Sequence, residues 1–334
     1  MTHILRCTCT NRWQDRKYGP GMRVHNEQSK IPKQGEEGVT ELTSPGIYPD
    51  IPDEAYHAIS RASASRLKML VAGQTLAHVK QDIDTPTEPT PALNFGHALH
   101  LAVLQPQTAD TLIRVAPDVD GRTTAGKQAK AEFAASCGPG SIVLKQEEAE
   151  KLTAMVESIY AHPAARQLLE MPGLREASLL WDEPMLVDTT GEPEKISLPC
   201  KARLDFWPQA FGAIIDIKST LDASPRSINR DMVNLGYYVQ GAFYLRAAER
   251  VAQAGADILV PDKFLMIFVE KDPPYLVAVR NLIPEAILLG NQDLDYPLQQ
   301  MARAYLTGQW PGYSDEIEDV VLPGWKMREE ALYE

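Results

Sequence analysis

Cysteine and long apolar runs are both scarce in this sequence. Its 334 residues include four cysteines, Cys7, Cys9, Cys137 and Cys200, too few and too irregularly spaced for a disulfide framework. The first fifteen residues contain no apolar signal segment, and no stretch approaches the roughly 18 apolar residues that span a bilayer. These absences predict a cytoplasmic protein that does not bind a membrane.

The sequence also lacks an excess of positive charge. Its 33 lysines and arginines stand against 45 aspartates and glutamates, a net charge of −12. This balance argues against a protein that coats nucleic acid through overall positive charge. It does not exclude a metal-dependent nuclease, because such an enzyme gathers carboxylates at its site and confines basic residues to one groove.

The apolar pattern divides the chain into an arm, a domain and a tail. Residues 1–47 are polar and lack a periodic apolar pattern, which predicts a disordered or loosely held arm. Residues 48–310 have the pattern of one domain, and residues 311–334 form a C-terminal tail. Helical spacing predicts helices at about 60–71, 92–104, 123–137, 146–170, 224–232, 236–254 and 284–306, with a further helical stretch that carries Leu76 and Val79. Short apolar or alternating runs predict strands at about 178–181, 185–187, 202–207, 213–217, 264–270 and 276–280. This order indicates an α/β fold with a central mixed sheet flanked by helices.

Two of the predicted strands form a hairpin rich in charged residues. Asp205 lies near the end of the first strand, and Asp216 and Lys218 lie in the second, after a turn with proline and glycine. Because strand side chains alternate, Asp216 and Lys218 share one face, and Ile215 and Ile217 point the other way into the core. The hairpin therefore predicts an acidic and a basic side chain on one face of an apolar strand.

This arrangement has two interpretations. Two carboxylates form a hard oxygen site of the kind that Mg²⁺ prefers, and a lysine beside it can position an attacking water and offset charge on a phosphate. The same residues could instead form a structural ion pair, with Asp205 merely ending a strand. The spacing alone does not separate these interpretations.

Two other helical segments add polar groups to the argument. Gly96 lies one turn before His100, so its missing side chain leaves space beside the imidazole. An imidazole on an apolar helix is also compatible with a core role. Gln240 and Tyr244 lie on one helical face, where they can hydrogen-bond a phosphate, brace a site or cap the core.

Taken together, these residues resemble the RecE (exonuclease VIII) branch of the RecB-like PD-(D/E)xK nucleases. The resemblance extends over about residues 48–310. The motifs that carry it are Gly96-x-x-x-His100, Lys201-x-Arg203-x-Asp205, Asp216-x-Lys218 and Gln240-x-x-x-Tyr244, together with Ser60-x-x-Ser63-x-Ser65-x-Leu67-Lys68.

The resemblance implies a PD-(D/E)xK fold and an exodeoxyribonuclease that uses Mg²⁺, with Mn²⁺ as a substitute. It implies degradation of linear double-stranded DNA from 5′ to 3′, leaving 3′ strands for a single-strand annealing partner, and a ring-shaped homo-oligomer. It assigns metal ligation to His100, Asp205, Asp216 and the Ile217 carbonyl, and catalysis to Lys218, Asp205, Asp216, Gln240 and Tyr244. Asp216 departs from the glutamate that many relatives have at this position.

Basic residues supply the predicted DNA contacts, which are Arg122, Lys127, Lys130, Lys201 and Arg203. The segment from Gly121 to Lys127 also matches the glycines and lysine of a phosphate-binding P-loop. That interpretation fails because Gln128 stands where a Mg²⁺-binding serine or threonine is required.

Several alternatives stay open. A structure-specific endonuclease could use the same residues, and a non-catalytic DNA-binding module could keep the fold without the activity. The sequence also leaves undecided whether Glu176 or Glu183, both on strands leading to the hairpin, joins the site.

Overall fold

The computed structural model describes residues 44–85, 90–188 and 191–322, together with the backbone of residues 2–6 and 22–26. Strands β1 (Thr2–Arg6) and β2 (Met22–Asn26) pair with each other in antiparallel fashion. Much of the predicted arm and of the C-terminal tail lies outside the described residues, so the predicted limits of these two segments stay predictions.

A mixed sheet forms the centre of the described chain. The strands after β2 are β3 (Gly46–Tyr48), β4 (Ala62–Ser63), β5 (Ile113–Val115), β6 (Ile142–Leu144), β7 (Leu174–Asp188), β8 (Pro193–Trp207), β9 (Ala213–Thr220), β10 (Lys263–Glu270) and β11 (Val277–Asn281). The central sheet has the order β11-β10-β9-β8-β7-β3, with β4 paired to β8, and β5 pairs separately with β6. Strands β9 and β10 are parallel to each other. Strand β11 is antiparallel to β10, β8 is antiparallel to β9, and β7 is antiparallel to β8. The predicted mixed sheet is therefore confirmed.

Helices cover both faces of this sheet. They are α1 (Asp53–Ala58), α2 (Ala64–Val71), α3 (Leu76–Asp84), α4 (Pro91–Leu104), α5 (Pro106–Leu112), α6 (Thr124–Ser136), α7 (Gln146–Ala161), α8 (Pro163–Leu169), α9 (Pro225–Asn234), α10 (Tyr237–Gln253) and α11 (Pro284–Thr307). Helices α2, α3, α10 and α11 pack in one apolar cluster, and α4, α7 and α8 pack in a second. No helix in the described ranges is long and apolar enough to cross a membrane.

Strand β9 contributes to both apolar clusters, as alternation requires. Ile214 belongs to the cluster with α10, whereas Ile215 and Ile217 belong to the cluster with α4. All three are fully buried. The predicted inward direction of Ile215 and Ile217 is confirmed, and Asp216 is left on the face that α10 covers.

Prolines explain two differences from the predicted elements. The predicted helix at 146–170 is divided into α7 and α8, because Pro163 has no N–H to continue the first helix and starts the second. The two short strands predicted at 178–181 and 185–187 are one strand of 15 residues. Strand β3 pairs only with residues 178–180 of β7, so Pro184 lies beyond β3 on that edge, and the pairing of β7 with β8 continues through Pro184 opposite Ser197.

The packing of α11 on α10 depends on a glycine. A Cβ added to Gly290 would lie 2.6 Å from the Tyr238 carbonyl oxygen and 2.8 Å from the Ala242 Cβ. We expect Gly290→Ala to lower the free energy of unfolding by about 1–3 kcal/mol through overpacking. Gly96→Ala is the matched control, because a Cβ there meets nothing within 4 Å, and alanine should stabilise the helix by up to about 1 kcal/mol. Urea unfolding of both variants tests this, and a loss of stability in both would contradict it.

Candidate functional site

The predicted hairpin joins β8 and β9 and carries three of the predicted catalytic residues, Asp205, Asp216 and Lys218. A short 3₁₀ helix (Gln209–Phe211) forms the turn, and Gly212 closes it in the left-handed region at φ 69°, which glycine adopts without strain. Asp205 on β8 and Asp216 on β9 are both buried. The backbone N–H of Ile217 donates to Asp205 Oδ2 at 2.8 Å, so β9 fixes the carboxylate of its neighbour.

Asp216 and Lys218 form a buried ion pair. Lys218 Nζ lies 2.7 Å from Asp216 Oδ2, at an angle outside that of a good hydrogen bond. Gln240 Nε2 on α10 donates to the other oxygen, Oδ1, at 2.8 Å. Burial and the nearby Asp205 raise the pKa of Asp216 to about 6, against the opposing effect of Lys218. Although burial alone would lower it, the two aspartates hold the pKa of Lys218 above its usual value.

His100 reaches the hairpin from α4. Its Nε2 lies 2.9 Å from the Ile217 carbonyl oxygen. Its Nδ1 lies 3.6 Å from Asp205 Oδ1 and 3.9 Å from Glu176 Oε1. The ring therefore lies between the backbone of β9 on one side and two carboxylates on the other.

Glu176, left undecided by the sequence, belongs to the site. The register pairs Arg175 with Phe206 and Ala177 with Leu204, which sets Glu176 opposite Asp205. Like charges directly opposite each other are unfavourable. Glu176 also has φ 51°, a left-handed conformation that costs a residue with a side chain roughly 1–3 kcal/mol. Burial and the neighbouring Asp205 raise the pKa of Glu176 to about 8.

Glu183, the other undecided glutamate, has a structural role. Its carboxylate accepts hydrogen bonds from Arg250 at 2.8 and 3.1 Å and from Trp181 Nε1 at 3.0 Å. The side chain is 4% exposed, so the glutamate joins β7 to α10 within the core. Alternation along β7 places residues seven apart on opposite faces, but it does not say which of the two faces meets the hairpin site.

The ligand-capable atoms of His100, Glu176 and Asp205 fit a divalent cation. One atom from each side chain lies within 4.8 Å of the others, and a bound cation would relieve the repulsion between the two carboxylates. A proton on His100 Nε2 donates to the Ile217 carbonyl and leaves the Nδ1 lone pair facing the carboxylates, as metal-binding histidines commonly do.

The two other predicted ligands are engaged differently. Asp216 is held by Gln240 and Lys218, and the Ile217 carbonyl accepts the imidazole hydrogen bond. Ligation by either would require these contacts to change, so it stays a prediction. The structure brings His100 and Asp205 together, with Glu176 as the third group.

Two of the residues predicted to contact DNA, Lys201 and Arg203, make hydrogen bonds within the protein. Lys201 is 3% exposed, and its Nζ donates to the carbonyl oxygens of Tyr56 at 2.7 Å, Ile59 at 2.8 Å and His57 at 3.3 Å. This correction follows from donor count, because an ammonium has three hydrogens and none is left for a phosphate.

Arg203 similarly braces the segment around α1. Its guanidinium donates to Asp53 Oδ1 at 2.9 Å, the Ile51 carbonyl oxygen at 2.8 Å and Ser178 Oγ at 3.1 Å. The side chain also lines the cavity beside Asp205. A DNA contact by Arg203 would therefore compete with these bonds.

The other three predicted DNA contacts, Arg122, Lys127 and Lys130, are exposed on α6 and the loop before it. Thr123 caps α6 by accepting from the Gly126 N–H at 3.0 Å. The residues just before this loop are not in a strand, so the strand that a P-loop requires is missing there. The three side chains stay predicted contacts to the DNA backbone.

A cavity of about 250 Å³ opens onto these groups. Asp205, Glu176, Gln240 and Tyr244 line one part of it, and Lys68 lines another. Tyr244 is packed edge-on against Phe264, with ring centroids 6.2 Å apart. A larger cavity of about 490 Å³ lies beside Pro163 on α8 and contains none of the residues named in the site.

The sequence from 63 to 322 matches the family described as "PDDEXK-like domain of unknown function (DUF3799)". The chain belongs to this family. The predicted PD-(D/E)xK fold is confirmed, since a mixed sheet flanked by helices carries Asp205 on β8 and the Asp216–Lys218 pair on the adjacent strand β9. Membership supports the nuclease superfamily rather than the RecE branch in particular.

One solved structure supports the same fold for this DUF3799 chain. A protein of Eubacterium rectale named "Putative exonuclease" is 13% identical, with a TM-score of 0.50 over 83% of this chain and 98% of its own. The protein SSO0001 is 11% identical over 59% of this chain and 84% of its own, with a TM-score of 0.24, which carries no argument. None of the curated proteins matches the sequence.

Metal binding should depend on Glu176. We expect Glu176→Gln to weaken Mn²⁺ affinity by about 10–100-fold, because it removes a charged oxygen that faces His100 and Asp205. Glu183→Gln is the matched control, since Glu183 is paired with Arg250 and should bind Mn²⁺ as the wild type does. Calorimetric titration with Mn²⁺ measures both, and an unchanged affinity in Glu176→Gln would remove Glu176 from the metal site.

Stability without metal should depend on pH through the same glutamate. The folded pKa of Glu176, about 8, lies above its ordinary value of 4.5, so the folded chain binds the extra proton. The free energy of unfolding should therefore fall as pH rises from about 4.5 to 8. In Glu176→Gln this fall should be smaller. Urea unfolding in EDTA across this range tests the sign, and identical pH slopes for the two proteins would contradict it.

Proposed function

We propose that this DUF3799 protein is a divalent-metal-dependent exodeoxyribonuclease that degrades linear double-stranded DNA. The observation that supports it best is the Asp216–Lys218 pair, whose acid is fully buried, beside His100, Glu176 and Asp205, which each bring one ligand atom within 4.8 Å of the others. A buried ion pair and two opposed carboxylates are expensive to maintain for stability alone. Binding of a cation and a phosphodiester would offset this unfavourable free energy.

His100, Asp205 and Glu176 would hold the metal, with Asp216 able to join them once its contacts change. A bound Mg²⁺ or Mn²⁺ would neutralise charge on the phosphate and lower the pKa of a coordinated water. Hard carboxylate oxygens suit these ions. Carboxylate oxygens suit Mn²⁺ as well as Mg²⁺, so the proposal includes both ions.

Lys218 would act on the reacting phosphate. The aspartates keep its amine protonated, so it can hydrogen-bond the attacking water or a phosphate oxygen as negative charge develops there. Asp216 holds the ammonium at 2.7 Å, and Gln240 holds Asp216 from α10. Tyr244, one turn beyond Gln240, contributes the buried wall of the cavity.

The finer parts of the proposal rest on the order of motifs shared with the RecE branch. These parts are 5′→3′ polarity, a 3′ strand handed to a single-strand annealing partner, and a homo-oligomeric ring. The exposed Arg122, Lys127 and Lys130 would contact the DNA backbone outside the catalytic cavity.

A structure-specific endonuclease could use the same geometry, and a DNA-binding module could retain it without hydrolysis. Closed circular DNA distinguishes the first, because an exonuclease requires an end. Asp216→Ala distinguishes the second, since a binding module would show no hydrolysis for the substitution to remove.

Hydrolysis should require both the metal and the lysine. We expect linear duplex DNA, labelled at either end, to be degraded with Mg²⁺ or Mn²⁺ and to persist in EDTA. Lys218→Ala and Asp216→Ala should each reduce the rate by about 100-fold or more, because the first removes positive charge that stabilises the transition state and the second removes the carboxylate that holds this ammonium in place. Lys263→Ala, at an exposed lysine beside Asp262, is the control and should cleave normally. Full activity in EDTA and in Lys218→Ala would refute the nuclease proposal.

A further inference from the structure

A second lysine reaches the catalytic pair from α2. Lys68 Nζ lies 3.4 Å from Gln240 Oε1, and the amide nitrogen of the same glutamine donates to Asp216 Oδ1 at 2.8 Å. One glutamine side chain thus connects Lys68 to the acid of the Asp216–Lys218 pair. Lys68 also lines the cavity that Asp205 and Glu176 line.

The two lysines converge on one aromatic ring. Lys68 Nζ lies 5.8 Å from the centroid of Tyr237, and Lys218 Nζ lies 5.5 Å from it. Each contact is favourable, but together they bring two ammonium groups close to each other. Burial, together with the nearby Lys218, lowers the pKa of Lys68 to about 8. Without an anion, holding Lys68 here is therefore unfavourable.

The carboxylate beside these lysines is already engaged. Asp216 is bonded to Gln240 through one oxygen and paired with Lys218 through the other. The ammonium of Lys68 donates a hydrogen bond to the neutral amide oxygen of Gln240, at a distance near the upper limit for such a bond. Lys68 therefore has donor capacity for an anion that enters the cavity.

The position of Lys68 is also fixed by packing. Gly236, which precedes α10, has φ 62°, and a Cβ added to it would lie 2.9 Å from Lys68 Cδ and 3.1 Å from Lys68 Cγ. The glycine leaves the space in which the methylene stem lies. The ammonium is thus held at the cavity wall.

We propose that Lys68 binds a non-bridging oxygen of the DNA phosphodiester in this cavity, as a second ammonium beside Lys218. The inference rests on the proposed function for the identity of the anion, because a nuclease brings a phosphate to this place. A charge-assisted bond to phosphate would add to the counter-charge of Asp216, which is already engaged by Lys218 and Gln240. Lys68 is then a substrate-binding residue that contacts the DNA directly.

A structural role and a phosphate-binding role predict opposite effects on stability. If Lys68 serves the fold, Lys68→Gln should lower the melting temperature. If it serves the substrate, the substitution removes a desolvated charge beside Lys218 and should leave the melting temperature unchanged or raise it, while DNA binding weakens.

The test uses the full chain and a short duplex with a fluorescent label, bound in Ca²⁺ at several salt concentrations. Removing one phosphate contact should reduce the slope of log K against log salt by about 0.9. We expect this reduction in Lys68→Gln and a slope close to the wild-type value in Lys68→Arg. Lys263→Gln is the control, because it lies opposite Ala213 in the sheet, five residues along from the position opposite Lys218. Cleavage in Mn²⁺ should fall about 10–100-fold in kcat/KM for Lys68→Gln alone.

The outcomes separate this inference from the proposed function. If the wild type binds DNA and Lys68→Gln reduces the salt slope, but the wild type does not hydrolyse DNA, the nuclease proposal fails and the inference stands. If the wild type hydrolyses DNA and Lys68→Gln binds and cleaves equally well, the inference fails alone. A lower melting temperature with an unchanged salt slope would assign Lys68 to the fold, and a wild type that does not bind DNA would overturn both.

Discussion

The contact between Asp216 and Lys218 is the interaction on which the rest of the site depends. Strand β9 presents both side chains on the face that α10 covers, and its other face is fixed by Ile215 and Ile217 in the opposite core. A shift of one residue in register would exchange the charged and apolar faces. The apolar side of the strand therefore holds Asp216 and Lys218 in place on the other side.

Electrostatic cost is concentrated around this pair. Asp205 faces Glu176 across the ladder, Glu176 has a left-handed backbone, and Lys68 lies beside Lys218. Each feature is unfavourable in the chain by itself, and under the proposed function a bound cation would relieve the first and a bound phosphate would relieve the last. Sites that do chemistry commonly retain such costs. Stability and function thus make opposite demands on the same residues.

The site is assembled from both helical layers and the sheet between them. His100 comes from α4 in one layer, and Gln240 and Lys68 come from the other. A basic residue near the site is not necessarily part of it. Lys201, for example, donates its hydrogen bonds to backbone carbonyl oxygens. The position of a charged residue in a motif therefore says less about its role than the partners that surround it.

Local sequence patterns determined the hairpin, the shared face of Asp216 and Lys218, and the position of His100 one turn after Gly96, because alternation and helical spacing act over a few residues. The choice of Glu176 over Glu183, the carbonyl shell around Lys201 and the approach of Lys68 could be decided only by tertiary structure. Each depends on residues more than twenty positions away, such as Asp205 for Glu176, Tyr56 for Lys201 and Gln240 for Lys68. Such contacts are fixed when strands and helices pack, and no local spacing encodes them.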